Sequence, residues 1–350
     1  MQKQKTHNYG VDLLKILSIF FVLMLHVLLF GDILDSASFL SLNYEFAWMI
    51  EIFAFCAVNC YGLISGYVGY GAKHKYSRIF GLYAQIVFYT LLNFFICSFV
   101  NHSYFSIDNF LYALLPWLGG HYWYFNAYCV LFFIMPILNK VVEKINGKTA
   151  AILSIVLLLI LSIIPTIFQP SISLTDNGYN FVWLSVLYII GAFCKKYEIS
   201  TYIKTKYLII IWFLSSFSIW SIKLILETTK HQAIENMDFG LSYDSPLIFL
   251  SAVALLLIFV KIKIPVKIQK PIKLGSQSSF SIYICHMTPI VMSTFVLGKL
   301  STYANINTIL FLICLFGTVI GLFLLCYFVD LFRIFMFKKI IKITKGLKRT

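Results

Sequence analysis

Residues 12–30 read DLLKILSIFFVLMLHVLLF. A stretch this apolar and this long matches the roughly 20 residues that a helix needs to cross a bilayer. Nine further apolar runs follow, at about 46–70, 79–99, 121–139, 149–168, 181–194, 207–226, 245–260, 276–297 and 308–332. The 350-residue chain is 60% hydrophobic and 12% charged, with a mean hydropathy of +0.86. Soluble domains carry about 25% charged residues, and a water-facing surface could not hide this much apolar area. The same composition excludes a disordered chain.

A net charge of +14 would suit a nucleic-acid binder, but the placement of the charges argues otherwise. With the N-terminus in the cytoplasm and the runs alternating, 24 of the 28 Lys and Arg fall in inside segments. Asp32, Asp35, Glu45, Asp108, Asp176, Glu227, Glu235, Asp238 and Asp244 fall outside. That split is the positive-inside rule, so the expected partner is the lipid bilayer and no nucleic acid. The expectation is an all-α, polytopic integral membrane protein of about ten transmembrane helices, both termini cytoplasmic, forming one membrane-embedded domain over 1–350.

Ionisable groups inside a bilayer are costly and mark function. The first run carries Asp12, Lys15 and His26. Asp12 and Lys15 can pair across one helical turn. Eleven residues separate Lys15 from His26, which returns to within about 20° of the same face after a rise of about 16 Å. The bland alternative is a snorkelling lysine and a histidine bonded between helices. The second run holds Glu51 near its outer end and closes on Ser65-Gly66-Tyr67, followed by Lys73, Lys75 and Arg78. Small residues such as Ser65 and Gly66 allow close backbone approach. The basic cluster fits a phosphate-rich ligand or simple positive-inside charge. His121-Tyr122-Trp123-Tyr124 serves equally as an interfacial aromatic belt or a sugar-binding lip. In the ninth run, Ser279, Tyr283 and His286 share a face. By counting, His286 sits near the midplane and His26 within about 6 Å of the outer end. One site holding both requires a helix boundary that differs by several residues. All eight cysteines lie in apolar runs and no Cys/His spacing matches a metal site, so no metal is expected.

Taken together, Asp12-x-x-Lys15, His26, the Asn59–Tyr67 stretch, Lys75-x-x-Arg78, Trp123-Tyr124 with Pro136, and Ser281-x-Tyr283-x-x-His286 resemble the acyltransferase-3 family of bacterial integral-membrane acyltransferases. The Asn59–Tyr67 stretch resembles members that modify capsules and exopolysaccharides. The family often has Arg where Lys15 stands. The resemblance implies transfer of an acetyl group from cytoplasmic acetyl-CoA to a hydroxyl of a cell-surface or lipid-linked polysaccharide, across a bacterial cytoplasmic membrane. Catalytic roles would fall to His26, His286, Tyr283 and Asp12. Lys15, Lys73, Lys75 and Arg78 would hold the coenzyme, and His121, Trp123, Glu51 and Ser65 would meet the polysaccharide or glycolipid acceptor. The competing expectation is a flippase for lipid-linked oligosaccharides, which needs no coenzyme cluster.

Overall fold

The computed structural model describes residues 7–116, 122–170 and 173–347, with side chains through 339. Among these, ten main helices overlie the ten apolar runs: α1 (Tyr9–Phe30), α2 (Leu42–Gly69), α3 (Ser77–Val100), α4 (Trp123–Lys144) and α5 (Gly147–Phe168). The rest are α6 (Phe181–Lys196), α7 (Thr205–Lys230), α8 (Pro246–Lys261), α9 (Val266–His286) and α10 (Thr308–Leu347). No strand occurs among the described residues. Seven of the helices, α1–α5, α7 and α10, are long and apolar enough to cross a membrane by themselves, where the charge split led us to expect about ten. The shortfall is physical. With 16 residues each, α6 and α8 rise about 24 Å, short of a hydrocarbon core of about 30 Å. The first turns of α9 carry Lys267, Lys270 and Lys273.

Side-chain caps set several helix starts. The Asn8 side chain accepts from the Val11 amide, Ser41 from Tyr44, Asn146 from Thr149 and Asn180 from Val182 and Trp183. Each cap satisfies amides that have no partner within the helix. In α5, a π turn over Leu159–Ile163 precedes Pro165; the amide that proline lacks is accommodated by a shift in hydrogen-bond register.

The bundle is built around α1 and α2. In its most apolar stretch α2 is 72% buried, whereas α5 is only 6% buried and turns nearly all its surface outward. Glycine makes the tightest crossing, between α2 and α6. A Cβ on Gly66 would lie 1.9 Å from the Tyr188 carbonyl oxygen, and one on Gly191 would lie 2.0 Å from that of Leu63. The Ser65-Gly66 reading therefore holds for Gly66: the backbones meet where no side chain fits. The last helix is tied in by a buried polar brace. Asp330 pairs with Arg333 at 2.7 Å and accepts from the Tyr89 hydroxyl at 2.8 Å.

One boundary is corrected. The ninth run is not a single helix over 276–297. Helix α9 starts ten residues earlier, at Val266, and ends at His286. Thr288 is extended because a proline follows it, and Pro289 opens a separate short helix, Pro289–Phe295. Pro289 thus closes off α9 and leaves His286 at a helix end. Pro271 lies inside α9.

Candidate active site

That shifted boundary brings the two histidines together. His26 lies one turn before the end of α1 and His286 closes α9, so both reach the same level. His26 Nδ1 and His286 Nε2 are 2.7 Å apart, and His286 Nδ1 is 2.8 Å from the Ile282 carbonyl oxygen. The protons follow by elimination. A carbonyl only accepts, so His286 carries its proton on Nδ1 and presents a lone pair at Nε2. His26 must then donate through Nδ1, which leaves its Nε2 with a free lone pair. A base nitrogen oriented by a second group, itself oriented by a third, is the arrangement that activates a hydroxyl for acyl transfer.

His26 lines a cavity of about 230 Å³, together with Lys15, Tyr61, Ser65, Trp123, Tyr124 and Tyr283. The stripe from Lys15 to His26 read from the sequence is therefore one wall of one cavity. The Tyr283 ring centroid is 6.1 Å from that of His286, so the predicted face of α9 is assembled. Ser65 donates to the Tyr61 carbonyl oxygen at 2.8 Å and lies at the throat.

A second cavity of about 440 Å³ opens at the basic end of the bundle, lined by Lys73, His74 and Arg78. Lys15, Ile64, Ser65, Leu82 and Tyr128 line both cavities, so the two adjoin. Burial first, and the Arg78 guanidinium second, hold His74 below the ordinary histidine value. Its Nε2 is buried with no partner among the described residues. Cations and an unpaired ring nitrogen at one mouth suit phosphate groups. Lys75 departs from expectation: it is exposed and lies outside this lining. Asp12 is also not brought to the histidines. It sits fourteen residues before His26 on α1, about 21 Å along the helix. There it holds Lys15 at 3.6 Å and accepts from the Ser276 hydroxyl at 2.8 Å. Its nearest partner is His7, at 2.5 Å.

At the acidic end lies a third cavity, of about 510 Å³, lined by Trp48, Glu51, Phe55 and Tyr179 among others. Glu51 is buried at 5% exposure. An aromatic wall divides this cavity from His26. Trp123 packs on Tyr179 at 4.6 Å between ring centroids and on Tyr243 at 5.9 Å, and Phe55 stacks on Tyr243 at 4.6 Å. Burial pushes the Tyr179 and Tyr243 hydroxyls up, with the Glu51 charge adding to it, so both remain protonated donors. His121 lies outside the described residues.

Sequence reasoning passed over Tyr61 and Tyr243, which line the histidine cavity. Tyr61 could have been found, since it precedes Ser65 by one helical turn on the same face. Tyr243 comes from a distant loop and left no local signal. Lys223 and Glu227 form a wholly buried ion pair at 2.5 Å, with Tyr44 donating to Glu227 at 2.7 Å. Their i,i+4 spacing was legible, but Glu227 had been assigned to a loop, and it lies inside α7.

A half-buried histidine that lines a cavity adjoining a basic mouth, and is held by a second, buried histidine, fits a class: a multi-pass membrane enzyme of acyl transfer. The chain belongs to acyltransferase family 3, whose family model, described as an acyltransferase domain, matches residues 8–328. No curated protein and no solved structure matches it.

Proposed function

We propose that this acyltransferase moves an acetyl group from cytoplasmic acetyl-CoA to a hydroxyl of a cell-surface or lipid-linked polysaccharide, in a bacterial cytoplasmic membrane. The observation that carries the reading is the chain of contacts from Ile282 through His286 to His26, in a cavity that adjoins the basic mouth. Acetyl-CoA supplies an activated thioester. Lys73, Arg78 and Lys15 hold its phosphates, and the pantetheine arm follows the α1 stripe toward His26. There His26 Nε2 takes the proton of the acceptor hydroxyl as it attacks the thioester carbonyl, and collapse of the tetrahedral intermediate breaks the C–S bond, with the proton passing from His26 to the departing thiolate to release coenzyme A. His286 Nε2 keeps the resulting imidazolium in place through the 2.7 Å contact. The Tyr283 hydroxyl, with Tyr124 beside it, stabilises the developing oxyanion. Trp123 shapes the approach of the acceptor, and Ser65 lines the throat through which the pantetheine arm passes.

The test is to delete the gene in its host and compare the acetyl signals of the surface polysaccharide by NMR. Loss of acetylation, restored by the wild-type gene and not by His26→Ala, is the expected result. Polysaccharide that is fully acetylated, yet retained inside the cell, would instead favour the flippase.

A further inference from the structure

The acidic-end cavity holds a group that the reaction above does not use. Glu51 is more than nine-tenths buried, lines the cavity, and its Oε2 has no hydrogen-bond partner among the described residues. A buried carboxyl oxygen left unpaired costs free energy, and such an atom in a native site calls for a ligand or water to satisfy it. The surrounding wall has two further features. One side is aromatic: Trp48, Phe55 and Tyr179. The rim carries the exposed carboxylates Asp35 and Glu235, and among the described residues no Lys or Arg lines this cavity.

These features select a chemistry. An aromatic face packs on the apolar C–H face of a sugar ring, while a buried carboxyl oxygen accepts from a ring hydroxyl. A rim of carboxylates without a compensating cation repels uronic acids and other anionic sugars. Tyr179, which lines this cavity with Glu51, packs on Tyr243 at 4.9 Å between ring centroids. Tyr243 in turn lines the His26 cavity. A sugar seated here thus sits one aromatic layer from the base.

Building on the acetyltransferase reading, we propose that this cavity is the acceptor subsite. It takes an uncharged saccharide unit by a hydroxyl donated to Glu51 and rejects acidic units through Asp35 and Glu235. The rim charges are exposed, so their selectivity is screened by salt.

The experiment uses the full chain in nanodiscs and two probes, cellotriose and trigalacturonic acid, with binding read by saturation-transfer NMR. Wild type should bind the neutral probe and bind the acidic one at least about fivefold more weakly at low salt, with the gap closing as salt rises. Glu51→Leu should weaken cellotriose binding by about ten- to a hundredfold. The double variant Asp35→Asn/Glu235→Gln should leave cellotriose unchanged and bring the acidic probe to within about twofold of it. Acetyl-CoA binding, measured on the same samples, reports on folding and should match wild type throughout. Equal or stronger binding of the acidic probe by wild type, no binding of either probe, or unaltered cellotriose binding in Glu51→Leu would each overturn the proposal. Failure of wild type to bind acetyl-CoA while the sugar pattern holds would remove the donor reading and leave the saccharide subsite standing.

Discussion

Replacing His286 by leucine removes one hydrogen-bond acceptor and little volume. In the wild type, His286 Nε2 accepts from His26 Nδ1 at 2.7 Å, and its own Nδ1 is fixed by the Ile282 carbonyl. When His26 takes a proton, that contact becomes charge-assisted, a class worth about 1.5–3 kcal/mol. Losing it in the transition state lowers kcat by about 10- to 150-fold. KM for acetyl-CoA should stay within about twofold, because the contact forms no part of the coenzyme mouth. His286→Gln offers a carboxamide oxygen as acceptor and should recover part of the rate, a rescue that a merely structural role would not give. The assay is coenzyme A release with purified polysaccharide as acceptor, using protein in nanodiscs at matched amounts. A His286→Leu enzyme with kcat within about twofold of wild type, or with a raised KM alone, would refute the relay.

Charge removal at the mouth should separate the cations. Arg78→Ala and Lys73→Ala should each raise KM for acetyl-CoA by about tenfold, whereas Lys75→Ala, outside the cavity lining, should change it less than about twofold. Because His74 is held below the ordinary histidine value by burial and then by Arg78, it is neutral in the free protein near pH 7. A bound phosphate favours its protonated form, so binding takes up a proton, and coenzyme affinity should rise from about pH 8 to about pH 6. Titration calorimetry on His74→Gln should show that rise flattened. Removing one member of the buried pair, by Lys223→Met or Glu227→Leu, should cost about 3–5 kcal/mol and lower the thermal midpoint. The double variant should regain most of the loss; no recovery would contradict a simple ion pair. For topology, a membrane-impermeant thiol reagent applied outside should label Asp238→Cys and not Lys267→Cys, and the reverse pattern would invert the orientation.

Much of this could be read from the chain, because a membrane protein writes its helices as apolar runs. All ten runs are overlain by helices, and the Lys15–His26 face follows from helical periodicity. What stayed hidden depended on chain ends and distant partners. Thr288-Pro289 ends α9 and lifts His286 to the level of His26. The proline was visible at 289, but hydropathy alone runs straight through it. The lysines at 267, 270 and 273 read as a loop because charge usually marks one, although the helix extends back through them to Val266. Asp12 looked catalytic by its place in the motif, yet its contacts are with His7, Lys15 and Ser276. Lys75 belonged to the right cluster in sequence and lies outside the mouth in space. Tyr243 and Tyr179 enter from loops, where periodicity carries no information.

The central claim is that His26 is the base, and a single measurement meets it directly. Purified His26→Ala protein, shown to bind acetyl-CoA as wild type does, is assayed for transfer of the labelled acetyl group to polysaccharide. Coenzyme binding should be normal, with the transfer rate reduced by about 10²–10⁴-fold. Transfer at near the wild-type rate would contradict it and place the base elsewhere.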